Sequence, residues 1–203
     1  MPSTRPASLI SALHGAFFLS GAGALAFETI WFSQAGLVVG NSVWSAALVV
    51  GTFMAGLALG NAIAMRLSPR LASPLRAYAI AEAIAAASGL ALVAAFPLLP
   101  GIVAPALAPL LDHGLALDAA RLAVAFALLA LPATALGVTL PLVVKPLEGL
   151  TGSYGDALGR LYAANTFGAV AGTLLAELAL IPRLGLLGGG AAAAVCNLAA
   201  AVI

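Results

Sequence analysis

The sequence predicts an all-α fold: a polytopic transmembrane bundle of about six helices, forming one domain over residues 1–203. Three observations carry this expectation. Of the 203 residues, 63% are hydrophobic and only 7% charged, where a soluble domain carries roughly 25% charged residues. These residues cannot supply a water-soluble core of this size with a charged shell, so the bilayer must be the solvent. The apolar residues run in stretches of about 20 or more, the length that crosses a hydrocarbon core of roughly 30 Å at about 1.5 Å per helical residue. The few ionisable groups cluster between those stretches.

The first helix is expected over about residues 8–39. Met1 to Pro6, with Arg5, has the form of a signal-peptide n-region. The apolar stretch behind it, however, exceeds the ~7–15 residues of a signal core, and Ala26-Phe27-Glu28 makes a poor cleavage site, so the helix is read as retained. The second runs over about 42–67 and closes in Met65-Arg66-Leu67-Ser68-Pro69-Arg70. The third occupies about 74–98. Pro97, Pro100, Gly101, Pro105 and Pro109 then break the chain ahead of Asp112-His113. This connection, about 100–115, is too short and too proline-rich for a crossing; a periplasmic loop or a shallow re-entrant segment is expected. The fourth helix, about 117–144, is interrupted by Pro132 and Pro141, which free backbone carbonyls near Thr134 and Thr139 and predict a kink. The fifth is expected over about 157–181 and the sixth over 186–203, still apolar at Ile203. That apolar ending is the ground for expecting the N-terminal part of a longer protein.

Charge orients the bundle. With the N-terminus inside, the cytoplasmic side receives Arg5, Arg66, Arg70, Arg76, Lys145 and Arg160, and the other side only Arg121 and Arg183. An excess of Lys and Arg in short loops marks the cytoplasmic side, which places both termini in the cytoplasm and the chain in an inner (plasma) membrane. Were 100–115 to cross, every later loop would flip and the bias would vanish. Trp31, Trp44 and Tyr78 lie toward the expected interfaces, where aromatic belts anchor helices.

Several functions are excluded. A net charge of +1, with no basic run interleaved with aromatics, argues against nucleic acid as a partner. The single Cys196 offers neither a disulfide framework nor a cysteine metal site. There is no Ser/His/Asp arrangement, His cluster or phosphate loop, so no catalytic residue, metal or cofactor is assigned. Gly21-Ala22-Gly23-Ala24-Leu25-Ala26 fits the letter of a dinucleotide fingerprint but sits mid-helix, with no strand before it.

Intramembrane polar residues are the remaining candidates. An ionisable side chain at the centre of a span costs roughly 2.5–3.5 kcal/mol on insertion scales, which makes each a functional candidate. Glu28, Glu82, Glu177 and His14 qualify, joined by Asn61 and Asn165 in a candidate seam that binds a cation or relays protons. Gln34 and Asn197 are further polar positions. His14 and Glu28 fall about 40° apart on one helical face, with Gly21 on the stripe between them. Glu28 and Glu177 are expected in the outer half of the membrane; Glu82, Asn61 and Asn165 in the inner half. The alternative is interhelical hydrogen bonding alone, worth about 0.6 kcal/mol per pair. Gly36-x-x-x-Gly40, Gly56-x-x-x-Gly60 and Gly168-x-x-x-Gly172 each put two glycines on one face and signify close helix packing.

Five stretches, in order along nearly the whole chain, carry a resemblance. They are Phe18-Leu19-Ser20-Gly21 through Ala26-Phe27-Glu28-Thr29-Ile30-Trp31; Phe53-Met54-Ala55-Gly56-Leu57-Ala58-Leu59-Gly60; and Pro74-Leu75-Arg76-Ala77-Tyr78 with Glu82. Leu131-Pro132-Ala133-Thr134 through Gly137-Val138-Thr139-Leu140-Pro141 follows, then Gly159-Arg160-Leu161-Tyr162-Ala163-Ala164-Asn165-Thr166-Phe167-Gly168-Ala169-Val170-Ala171-Gly172. Together they resemble the membrane region of the spermidine-synthase-like (fused major-facilitator/spermidine synthase) family. The resemblance implies a half-major-facilitator-like membrane domain, followed in many members by a cytoplasmic Rossmann-like aminopropyltransferase domain. The catalytic acids and nucleoside-binding glycines of that second domain have no counterpart here, so none is carried over. Ser68-Pro69 stands where the major-facilitator loop commonly has an acidic residue.

Three functions follow as expectations: a membrane domain that anchors a polyamine-synthase-like enzyme or handles its substrate or product; a small transporter of a cationic or organic solute working as a six-helix half; and a non-catalytic scaffold subunit. The expected partners are the lipid bilayer, a C-terminal soluble domain or partner subunit, and a second copy in a homo-oligomer.

Overall fold

The computed structural model describes residues 5–39 and 43–203, and every regular element among them is helical. Gly40, the expected helix start at Ser42 and the side chain of Trp44 lie outside what is described. The elements are α1 (Arg5–Val39), α2 (Val43–Leu67), α3 (Pro74–Ala95), α4 (Pro100–Leu107), α5 (Gly114–Gly137), α6 (Thr139–Thr151), α7 (Tyr154–Leu175) and α8 (Ile181–Val202), with a π-helical turn at Ala176–Leu180. The sequence-based helix four is thus two helices, α5 and α6, that meet at Val138.

Among the described residues, five helical stretches are long and apolar enough to cross a membrane: Ala7–Gly36, Ala46–Arg70, Pro74–Leu98, Gly114–Thr151 and Tyr154–Val202. The last is 49 residues, about 70 Å of helix, more than twice a hydrocarbon core. It folds back at Gly185, whose φ of 69° and ψ of 179° lie in a region essentially open only to glycine.

Glycine contacts give the helix directions. Gly168 lies on the backbone of Phe18 and Gly172 on that of Ala22, so α1 and α7 run parallel. Gly56 meets Ala133 and Gly60 meets Gly137, so α2 and α5 run parallel. Phe17 stacks on Tyr78, Phe27 lies over Gly89 and Gln34 Nε2 donates to Val93 O at 2.9 Å, which sets α3 parallel to α1. In α8 the order inverts: Asn197 packs at Gly23 and Gly189 at Ile30. Since α8 opposes α1 while α7 follows it, the chain turns between them, and the long stretch makes two passes. The connection after α3 leaves and returns on one side of the bundle, because α5 runs opposite to α3. Its α4 has 8 residues, about 12 Å, too short to cross.

Local chemistry accounts for the turns. Gly152 ends α6 with φ 72°, its N–H donating to Glu148 O at 2.8 Å, the left-handed closure that glycine favours. Ser153 then caps α7 by accepting from the Asp156 N–H at 3.3 Å. The centre of the bundle is aromatic: Phe27 stacks on Trp31 at 5.2 Å, and Trp31 meets Phe53 edge-on at 6.2 Å. Trp31 is 1% exposed and Tyr78 4%, so neither is the interface anchor expected from its depth. Small residues on the facing helices leave room for large rings inside; at Gly89 an added Cβ would stand 2.9 Å from the Phe27 ring. Trp31 Nε1 finds its acceptor there, Gly89 O at 3.4 Å.

Candidate functional site

The polar interior is built on the packing of α1, α3 and α8. Glu82, on α3, is 0% exposed. Its Oε2 accepts a 2.7 Å hydrogen bond from Asn197 Nδ2, across 115 positions of sequence. Asn197 reaches it because Gly23 has no side chain: a Cβ there would meet Asn197 Oδ1 and stand 2.9 Å from Ala193 O. The hydroxyls of Ser20 and Tyr78 adjoin the same carboxyl. Glu82 Oε1, Tyr78 Oη and Asn197 Oδ1 are buried without a hydrogen bond that closes. Neither of the ion pairs among the described residues, Arg121–Asp118 and Arg160–Asp156, involves Glu82. A carboxyl is therefore enclosed with hydroxyl and amide neighbours and, among the described residues, no ion-paired cation.

Ser20 also belongs to the wall of a cavity of about 180 Å³. Its other polar walls are Asn61 from α2, Thr139 from α6, and Tyr162 and Asn165 from α7; Phe17 and Phe53 contribute rings. Thr139 Oγ1 is spent on Leu136 O at 2.7 Å, whereas the amides of Asn61 and Asn165 form no side-chain hydrogen bond among the described residues. Asn165 gains its place because Gly21 has no Cβ: one there would meet Asn165 O and stand 2.9 Å from its Oδ1. The cavity lies toward the end of the bundle that carries Arg66, Arg70, Arg76, Lys145 and Arg160. Its volume is below the ~300–1,000 Å³ of drug-sized sites but leaves room for several waters or a small solute.

The six sequence-derived candidates therefore divide. Asn61 and Asn165 share the cavity, and Glu82 stands behind its Ser20 wall. Glu28 is half-buried farther along α1, and Glu177 is exposed within the π-helical turn. The α1–α7 register (18 against 168, 22 against 172) brings those two to similar depth, away from Glu82. His14 turns Nδ1 back to Ile10 O at 2.7 Å, with Nε2 buried and unbonded. Ser20, Tyr78 and Tyr162 were not among the candidates. The signal for Ser20 was its place on one α1 face with Phe17 and Ala24, at helical spacing i, i+3, i+7.

Two curated proteins of Ralstonia nicotianae are similar to this chain. Polyamine aminopropyltransferase 2 is 28% identical over 189 residues, 92% of this chain and 34% of that protein. Polyamine aminopropyltransferase 1 is 28% identical over 189 residues, 92% of this chain and 33% of that protein. The chain thus spans about a third of the length of the curated relatives it matches. No family model and no solved structure matches it.

Proposed function

We propose that this chain is the membrane-embedded unit of a protein of the polyamine aminopropyltransferase kind. On this reading it lies in the inner membrane with both termini cytoplasmic, and its cavity receives an amine that a soluble aminopropyltransferase domain uses or releases. The observation that carries the reading is the extent of the similarity: it covers 92% of a chain whose described residues form an apolar helical bundle. The segment shared with the two relatives is, in this chain, membrane-type helix over most of its described residues. The position of the cavity supports it, since the basic loops that mark the cytoplasmic side lie at the same end as Asn61, Tyr162 and Asn165.

Binding of labelled spermidine and putrescine to the chain in lipid nanodiscs tests the reading. Saturable binding is expected, weakened by the paired change Asn61→Leu and Asn165→Leu, which closes the cavity with apolar side chains. No saturable binding of either amine would overturn the amine-handling role. Amine uptake into liposomes by the chain alone would instead favour a six-helix transporter half.

A further inference from the structure

We infer that Glu82 is the counter-charge for a ligand ammonium seated in the cavity, acting through the Ser20 hydroxyl. The inference rests on the amine-handling reading and adds to it the atoms that recognise the charge: a primary ammonium on an aliphatic chain, held at Ser20.

Three observations converge on one point. Glu82 is fully buried, its Oε2 is bonded to Asn197 and its Oε1 has no partner. A buried carboxyl that keeps its charge needs a compensating cation, and none of the ion pairs among the described residues supplies one. Ser20 lines the cavity, and its hydroxyl adjoins this carboxyl. A serine hydroxyl has one proton to donate and two lone pairs to accept with, so it can donate to Glu82 while accepting an N–H from the ligand. The cavity completes an ammonium site. The side-chain carbonyls of Asn61 and Asn165 supply acceptors, the rings of Phe17 and Phe53 tolerate a cation at their faces, and no basic residue lines the walls. Tyr78, stacked on Phe17 at 6.0 Å, adjoins the same carboxyl. Glu28 and Glu177 have no such arrangement; neither lines the cavity nor adjoins a hydroxyl from another helix.

The test compares parent protein, Glu82→Gln and Ser20→Ala in nanodiscs, with putrescine, spermidine and the uncharged isostere butane-1,4-diol as probes. Glutamine keeps an acceptor for Asn197, so fold is retained while charge is lost. Binding of both amines is expected to weaken on the order of tenfold or more in Glu82→Gln and by less in Ser20→Ala, with butane-1,4-diol unaffected. On the parent protein, a hydrophobic carbodiimide mapped by mass spectrometry supplies an arm that requires no variant. Saturating spermidine is expected to slow modification of Glu82 and to leave Glu28 and Glu177 unchanged. Should Glu82 resist the reagent, the Glu82→Gln binding arm decides. If the parent binds amines saturably and Glu82→Gln binds them equally well, the counter-charge role fails while the amine-handling reading stands. If the parent binds no amine, that reading fails first.

Discussion

At the scale of single residues, the buried polar pair and the glycines around it belong to one device. Asn197 can reach Glu82 only past Gly23. Gly23→Ala is therefore expected to cost about 1–3 kcal/mol, the usual penalty for overpacking, and to pull Asn197 from the carboxyl. Gly15→Ala, at a helical site with nothing within 4 Å of the added methyl, is expected to be neutral or stabilising by up to about 1 kcal/mol. Thermal unfolding of both variants in nanodiscs checks the contrast; equal melting temperatures would remove the steric argument. A double-mutant cycle over Glu82→Ala and Asn197→Ala is expected to give a coupling of about 0.6 kcal/mol and at most ~1.7, as for other intramembrane hydrogen bonds. Zero coupling in denaturant titration would mean the pair does not hold in the bilayer. The costliness of Glu82 was legible from its charge alone. Its partners were not, since a linear pattern gives depth but not the neighbouring helix face; Tyr78 and Trp31 were assigned to an interface by depth and face the interior instead.

At the scale of elements, the apolar stretches, the proline-rich connection and the basic hairpins were all readable, because length against bilayer thickness is a one-dimensional property. The direction change inside Tyr154–Val202 was readable as the Pro182-Arg183-Leu184-Gly185 break between the fifth and sixth expected helices. The backbone angles at Gly185 make it the hinge on which α8 turns back. Gly185→Ala is expected to destabilise by about 1–3 kcal/mol, although the new methyl meets nothing; the penalty is in the backbone. Gly155→Ala, equally open but without positive φ, serves as the control in the same unfolding measurement. If the two variants behaved alike, the turn would not depend on that conformation.

For the whole molecule, the helix directions carry a topological prediction. In a Cys196→Ala background, Leu71→Cys and Leu150→Cys are expected to react with an impermeant thiol reagent from the same side, and Asp112→Cys from the other; all three positions are exposed. Labelling of positions 71 and 150 from opposite sides would break the six-pass arrangement. The parallel placement of α1 with α7 and the late closure by α8 also bear on assembly order. Glu82 enters the bilayer with the third pass, whereas Asn197, its hydrogen-bond donor, is made 115 positions later. During synthesis this carboxyl therefore has only the earlier hydroxyls of Ser20 and Tyr78 beside it until the final segment brings the amide. A chain stalled or cut before that segment leaves the acid without the amide that holds its Oε2 in the finished protein.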